Sequence, residues 1–204
     1  VLPRAISPGT ALAVLVLGYP LVCHLGASQG LAWPGLAWLA GLFAATAWAR
    51  AGARLPLLAL AAATLGIAAL AGPALGGALL RLPPILVSGA LAIVFGETLR
   101  PGRNPLILEI AERARGTLPQ GVRAYGRGLT VFWTVAFLAL ALESLLLALL
   151  ADDYWWSLFT NLINYGVLAL IFPLEYAVRR RVLSDLEHEP FFDYLRGLVR
   201  VGLR

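Results

Sequence analysis

Apolar residues gather into six blocks along the chain, at 8–25, 31–48, 55–71, 82–96, 128–150 and 155–177, divided by shorter stretches rich in Gly, Pro and Arg. A helix rising about 1.5 Å per residue needs about 18 to 20 apolar residues to cross about 30 Å of hydrocarbon, and most blocks approach that length. The pattern predicts an all-α fold, a polytopic transmembrane helical bundle of about six spans forming one membrane domain over 1–204. The first block is read as a retained span rather than a signal peptide. Arg4 does precede a short apolar core, but Trp and Pro follow too soon for an ordinary mature N-terminus. The fourth block runs only from 82 to 96 and opens on Pro83 and Pro84, after Gly72 and Pro73. Either the connection 72–81 dips into the bilayer where protein satisfies its backbone, or the span starts near Leu75 with a proline kink.

Composition supports the membrane reading. The chain is 60% apolar and 13% charged, with a mean hydropathy of +0.81, against about 45–50% and about 25% in soluble domains. A soluble enzyme and a disordered chain are both excluded on these grounds. All sixteen basic residues are arginine, and six spans put fifteen of them on one side, leaving only Arg81 opposite. Short loops rich in positive charge stay on the cytoplasmic side, so the orientation expected is N-in and C-in in a bacterial inner membrane. The chain begins at Val1 and holds no Met, as processing, trimming or numbering from an internal residue would give.

Two segments on the arginine-rich side carry helix signals of their own. In the loop 97–127, Asn104 has the position of an N-cap and Pro105 that of the first helical residue. Leu106, Ile107, Ile110 and Ala114 then share one face, Glu109, Glu112 and Arg113 the other, and Gly116 supplies a stop. In the tail 178–204, Ser184 and Glu187 have capping-box spacing, and Phe191, Phe192, Leu195, Leu198 and Val199 form an apolar stripe after Pro190. Both are expected to be cytoplasmic interfacial amphipathic helices. Their arginines suit anionic lipid, or an acidic soluble partner bound in bidentate fashion. Trp133, Tyr154, Trp155 and Trp156 are read as marking interface levels.

Ionisable groups inside the bilayer cost about 2.5 to 3.5 kcal/mol at its centre and are functional candidates. Glu143 lies roughly 22 Å along the fifth span by the helical rise. Asn161 and Asn164 lie about 9 and 13 Å into the sixth and share a face. With His24 and Arg81 at comparable depth, these residues predict an intramembrane polar cluster in which Arg81 is a partner for Glu143. It serves either as interhelical glue or as a polar site for a lipid-like ligand or a proton. Glu175 precedes Arg179 by one turn, the spacing of a helix salt bridge. Cys23 and His24 are neighbours pointing about 100° apart, so they form no thiolate dyad. No zinc, phosphate-loop or dinucleotide motif occurs, and neither a metal nor a cofactor is expected. Nucleic acid is not an expected partner. Glu97, Glu175 and His188 remain as candidate bases for an enzyme.

The stretch Gly96-Glu97-Thr98-Leu99-Arg100-Pro101-Gly102-Arg103-Asn104-Pro105-Leu106-Ile107 is followed by Leu118-Pro119, Tyr125-Gly126-Arg127, Thr130 and Trp133. Further on come Trp156-Ser157-Leu158-Phe159, Asn161, Asn164-Tyr165, Glu175-Tyr176 and Arg179-Arg180. Over roughly residues 95–195 this resembles a family of small bacterial inner-membrane proteins found with aryl polyene (xanthomonadin-type) and fatty-acid-synthase-like gene sets, some labelled ketosynthases. The resemblance implies a pathway rather than a reaction, because condensation needs a reactive Cys with paired basic groups and a soluble two-layer fold. It implies an accessory protein that docks an acidic acyl carrier protein and accommodates an acyl or lipid intermediate among membrane lipids, through Arg100, Arg103, Tyr125, Asn161, Asn164, Glu175 and Arg179. A membrane-embedded acyl or lipid transferase and a small lipid or proton-coupled transporter using Glu143 are the alternatives.

Overall fold

The computed structural model describes residues 8–49, 54–70, 73–116 and 118–184, all-helical with no strand among them. The helices are α1 (Pro8–Ala27), α2 (Trp33–Ala49), α3 (Arg54–Leu70), α4 (Pro73–Leu80), α5 (Leu82–Glu97), α6 (Leu106–Arg115), α7 (Gln120–Leu150), α8 (Asp153–Leu158) and α9 (Asn164–Val182). A π-helical turn, Phe159–Ile163, joins α8 to α9. The expected tail helix beyond Ser184, with His188, lies outside the described residues, as do Arg4 and Arg50.

By length and composition three stretches are long and apolar enough to cross a membrane: Gly76–Glu97, Gly121–Leu150 and Asp153–Val182. The apolar runs of the first three helices, Val14–Ala27, Trp33–Ala47 and Leu55–Gly66, are shorter. Over the fourth block and the connection before it the chain is helical on both sides of one turn. Helix begins at Pro73, turns at Arg81 and resumes at Leu82, so Pro83 and Pro84 fall in a first turn, where a missing N–H costs no intrahelical bond. Helix α7 starts at Gln120, ahead of the apolar block at 128, because the polar run before it holds no helix breaker stronger than Gly.

The chain divides into two compact units. The first comprises the described parts of Val1–Pro84 with Ser144–Tyr165, the second those of Ile85–Glu143 with Gly166–Arg204. In the first, α2 packs against α1, α3 and α4, and α1 packs against α8 and the π turn. Small residues permit this closeness. Trp38 lies over Gly18, where a Cβ would sit 2.7 Å from the indole, and its Nε1 donates to the Leu15 carbonyl at 2.7 Å. Gly35 brings α2 against Cys23 and Leu80, and Cys23, Leu36, Leu80 and Trp156 form the buried core.

In the second unit the core is aromatic. Trp133 of α7 stacks on Phe137 at 5.3 Å and meets Phe172 of α9 at 5.4 Å, while Phe95 of α5 meets Phe137 at 5.4 Å. Trp133 and Trp156 are therefore buried packing residues rather than interface markers. Tyr154 and Trp155 are exposed, as interface markers require. The outward surface is leucine-rich, with Leu17, Leu55, Leu70 and Leu150 each more than three-quarters exposed. So many exposed large apolar side chains are poorly matched to water and well matched to hydrocarbon.

Candidate functional site

The arginine-rich segment of the second unit folds into a defined platform. Glu97, at the end of α5, holds Arg100 at 2.5 Å and Arg103 at 3.5 Å, clamping the turn through Gly102, whose φ of +80° suits glycine. Asn104 does not cap α6. Its Nδ2 donates to Glu112 Oε2 at 2.7 Å, and Pro105 occupies the cap position with no side-chain bond. The first amides of the helix are satisfied from farther away: Leu106 N donates to Thr98 Oγ1 at 3.0 Å and Ile107 N to Thr130 Oγ1 at 3.4 Å. The Thr130 hydroxyl in turn donates to the Gly126 carbonyl at 2.8 Å. Gly116 ends α6 as expected, at φ +79°, its amide donating to Glu112 O.

The apolar face of α6 is seated on α7. Leu108 is buried against Gly126, where a Cβ would approach its Cγ to 2.9 Å. The polar face carries ion pairs: Arg113 with Glu109 at 2.5 Å, and Glu112 with Arg123 of α7 at 3.0 Å. The side chains of Arg100, Arg103, Arg113 and Arg123 are more than half exposed despite these pairs.

Three of the residues singled out from the sequence meet beside this platform. The Tyr125 hydroxyl of α7 donates to Glu175 Oε1 of α9 at 3.0 Å, and Arg179 Nε lies 3.7 Å from the same oxygen. The Glu175 side chain is only 7% exposed, so its carboxyl group faces Tyr125 and Arg179 rather than water. Tyr176 presents its ring to the Arg179 and Arg180 guanidinium groups, 5.3 and 6.0 Å away. Glu175 and Glu97 are thus both paired with arginine.

In the first unit Ser157, Thr160, Asn161 and Asn164 are buried, at spacings that put them on one helical side. Asn161 Nδ2 donates to Ser157 Oγ at 3.1 Å, which lies 3.3 Å from His24 Nδ1 of α1. Asn161 and His24 are therefore linked through a serine that sequence reasoning passed over. Arg81 turns to Asp153 at 2.6 Å and to the Ala148 carbonyl, and its guanidinium lies 5.8 Å from the Trp156 ring centre. Glu143 is half-buried on α7. Among the described residues no group of three or more His, Cys, Asp or Glu could hold a metal ion. Thr98, Thr130 and Ser157 stood in the resembling stretches with no role assigned to them, and Asp153 was not marked as a partner. Only Asp153, an acid beside an otherwise apolar block, carried any local signal.

Described residues that are all helical, with three helices among them long and apolar enough to cross a bilayer and many exposed leucines, have the features of a helical membrane protein. No family model, no curated protein and no solved structure matches it.

Proposed function

We propose that the chain is a multi-pass accessory protein of a bacterial inner membrane, N-in and C-in, in which α1–α3 complete six crossings. Its arginine-fringed platform docks an acidic acyl carrier protein of an aryl polyene or lipid-like biosynthetic pathway, and the bilayer beside it accommodates the acyl intermediate. The observation that carries this reading is a set of exposed arginines on a segment held by several specific contacts. Helix α6 is locked by Leu108 on Gly126 and by two threonine hydroxyls, while Arg100, Arg103, Arg113 and Arg123 point their charge outward. Exposed ion pairs of this kind are worth about 0–1 kcal/mol, so a partner's carboxylates or phosphate exchange readily for Glu97 or Glu109. Preorganised arginines then gain a partner with little ordering cost.

The protein in lipid nanodiscs should capture a fatty-acylated acidic acyl carrier protein, with capture falling as salt rises. R100E/R103E should lower capture about tenfold. E97Q, which removes the internal competitor, should raise it. Capture unchanged by the double charge reversal overturns the proposal.

A further inference from the structure

Arg127 stands apart from the arginines that fringe the platform. Arg100 and Arg103 are paired with Glu97, Arg113 with Glu109 and Arg123 with Glu112. Arg127 is exposed, and no acid pairs with it among the described residues. It follows Arg123 by one turn of α7, so the two arginines are neighbours on one side of the helix. No further charge occurs before Glu143, and the segment they head, Gly121–Leu150, is long and apolar enough to cross a membrane. An arginine at that point lays its methylenes along hydrocarbon and extends its guanidinium to the headgroup level.

The same side of α7 continues as an apolar ridge. Steps of four and three residues lead from Arg127 to Val131, Val135, Leu138 and Leu142, which therefore lie one above another. Each is 43–60% exposed, whereas Trp133 and Phe137, on another side of the helix, are taken up by the aromatic core. Leu138 lies about 16 Å along the axis from Arg127 by the helical rise, close to the half-thickness of the hydrocarbon, about 15 Å. An acyl chain whose phosphate rests at Arg127 would run its length along Val131, Val135 and Leu138.

Charge selects the headgroup. A guanidinium donates paired N–H groups to a phosphodiester, and Arg123 one turn away adds a second positive charge. The ammonium of a zwitterionic headgroup would need a carboxylate. Glu112, the acid beside Arg123, has both oxygens engaged: Oε1 lies 3.0 Å from Arg123, and Oε2 accepts from Asn104 Nδ2 at 2.7 Å. The face thus suits a headgroup with net negative charge better than a zwitterion. From this juxtaposition we propose that the Arg127 side of α7 binds an anionic phospholipid of the phosphatidylglycerol class, its phosphate at Arg127 and Arg123 and one acyl chain on the ridge.

The test is native mass spectrometry of the full chain released from bilayers holding equal parts of phosphatidylglycerol, phosphatidylethanolamine and phosphatidylcholine. Phosphatidylglycerol is expected to be retained preferentially. R127Q should reduce that preference about fivefold, the weight of one basic residue at an anionic surface. R180Q removes an exposed arginine of the same unit that lies over the Tyr176 ring, and it should leave the preference near its original value. Equal retention of the three lipids, or an unchanged preference in R127Q, overturns the proposal. Equal losses in R127Q and R180Q would mark diffuse attraction to basic charge rather than a site, and overturn it too. Displacement of the lipid by glycerol 3-phosphate at equal concentration would make the ligand a soluble one and overturn the lipid assignment. None of these outcomes depends on acyl carrier capture, so the two proposals stand or fall separately.

Discussion

Gly126 and Leu108 show how one hydrogen in place of a methyl group positions a helix. A side chain at 126 would push into Leu108, so Gly126→Val should cost about 1–3 kcal/mol through overpacking and loosen α6 from α7. Faster proteolysis within 99–116 and a lower melting temperature would report it; an unchanged cleavage pattern would argue that α6 is held by its hydroxyl contacts alone. Glu175 is the opposite case, a carboxyl group held where water scarcely reaches. Removing it takes the carboxyl acceptor from the Tyr125 hydroxyl and an anionic neighbour from Arg179, so Glu175→Ala should destabilise by about 1–3 kcal/mol, and Glu175→Gln, which still accepts from Tyr125, by less. Equal melting temperatures for the two variants would contradict that account. The Glu175–Arg179 pair was legible because i, i+4 spacing is local. The Tyr125 contact, fifty positions away, was not readable as a partner even though the residue itself had been marked.

Helix α6 was readable as an element and misread at its start. Amphipathic spacing and Gly116 placed it, but Asn104 was the natural choice of cap because Asn before Pro is a local signal. The real acceptors, Thr98 and Thr130, come from other elements, and nothing local distinguishes a threonine that caps from one that bonds only its own helix. Replacing both by Val should raise amide exchange at Leu106 and Ile107 specifically, at about 1 kcal/mol per lost bond. Uniform exchange along α6 would instead indicate wholesale undocking. The stretch from α4 to α5 makes the related point about proline. Pro83 and Pro84 looked like a break, yet they stand just after the Arg81 turn, where a new helix has no use for their missing amides. Trp133 and Trp156 were misassigned for a similar reason, since a tryptophan in an apolar block suits a core as well as an interface.

For the molecule as a whole, the fifteen arginines on one side of a six-span reading predict which loops face which compartment. In a cysteine-free background, S28C should react with an impermeant maleimide from outside intact spheroplasts, and P101C only after permeabilisation. Labelling of both positions from the same side would remove the orientation together with the cytoplasmic placement of the platform. Arg81 belongs to the same argument. As the single arginine on its side it invited pairing with Glu143, an acid placed by depth alone; within the first unit it is held by Asp153, an acid of that unit the depth argument did not weigh.

Membrane residence and helical class were therefore written in the chain at the level of composition and block length, because hydrocarbon thickness and the helical rise act on any sequence alike, whatever its partners. The existence of α6, its stop at Gly116 and the Glu175–Arg179 pair were likewise local, resting on spacings within one or two helical turns. Long-range pairing was not local in this sense. The hydroxyls that finish α6, the serine that links Asn161 to His24, the acid that takes Arg81 and the tryptophans that become core are all chosen by which helices touch. In a chain built so largely of Ala, Leu and Gly, many faces are interchangeable to the eye. The few glycines and polar groups that decide the contacts acquire meaning only once their neighbours are in place.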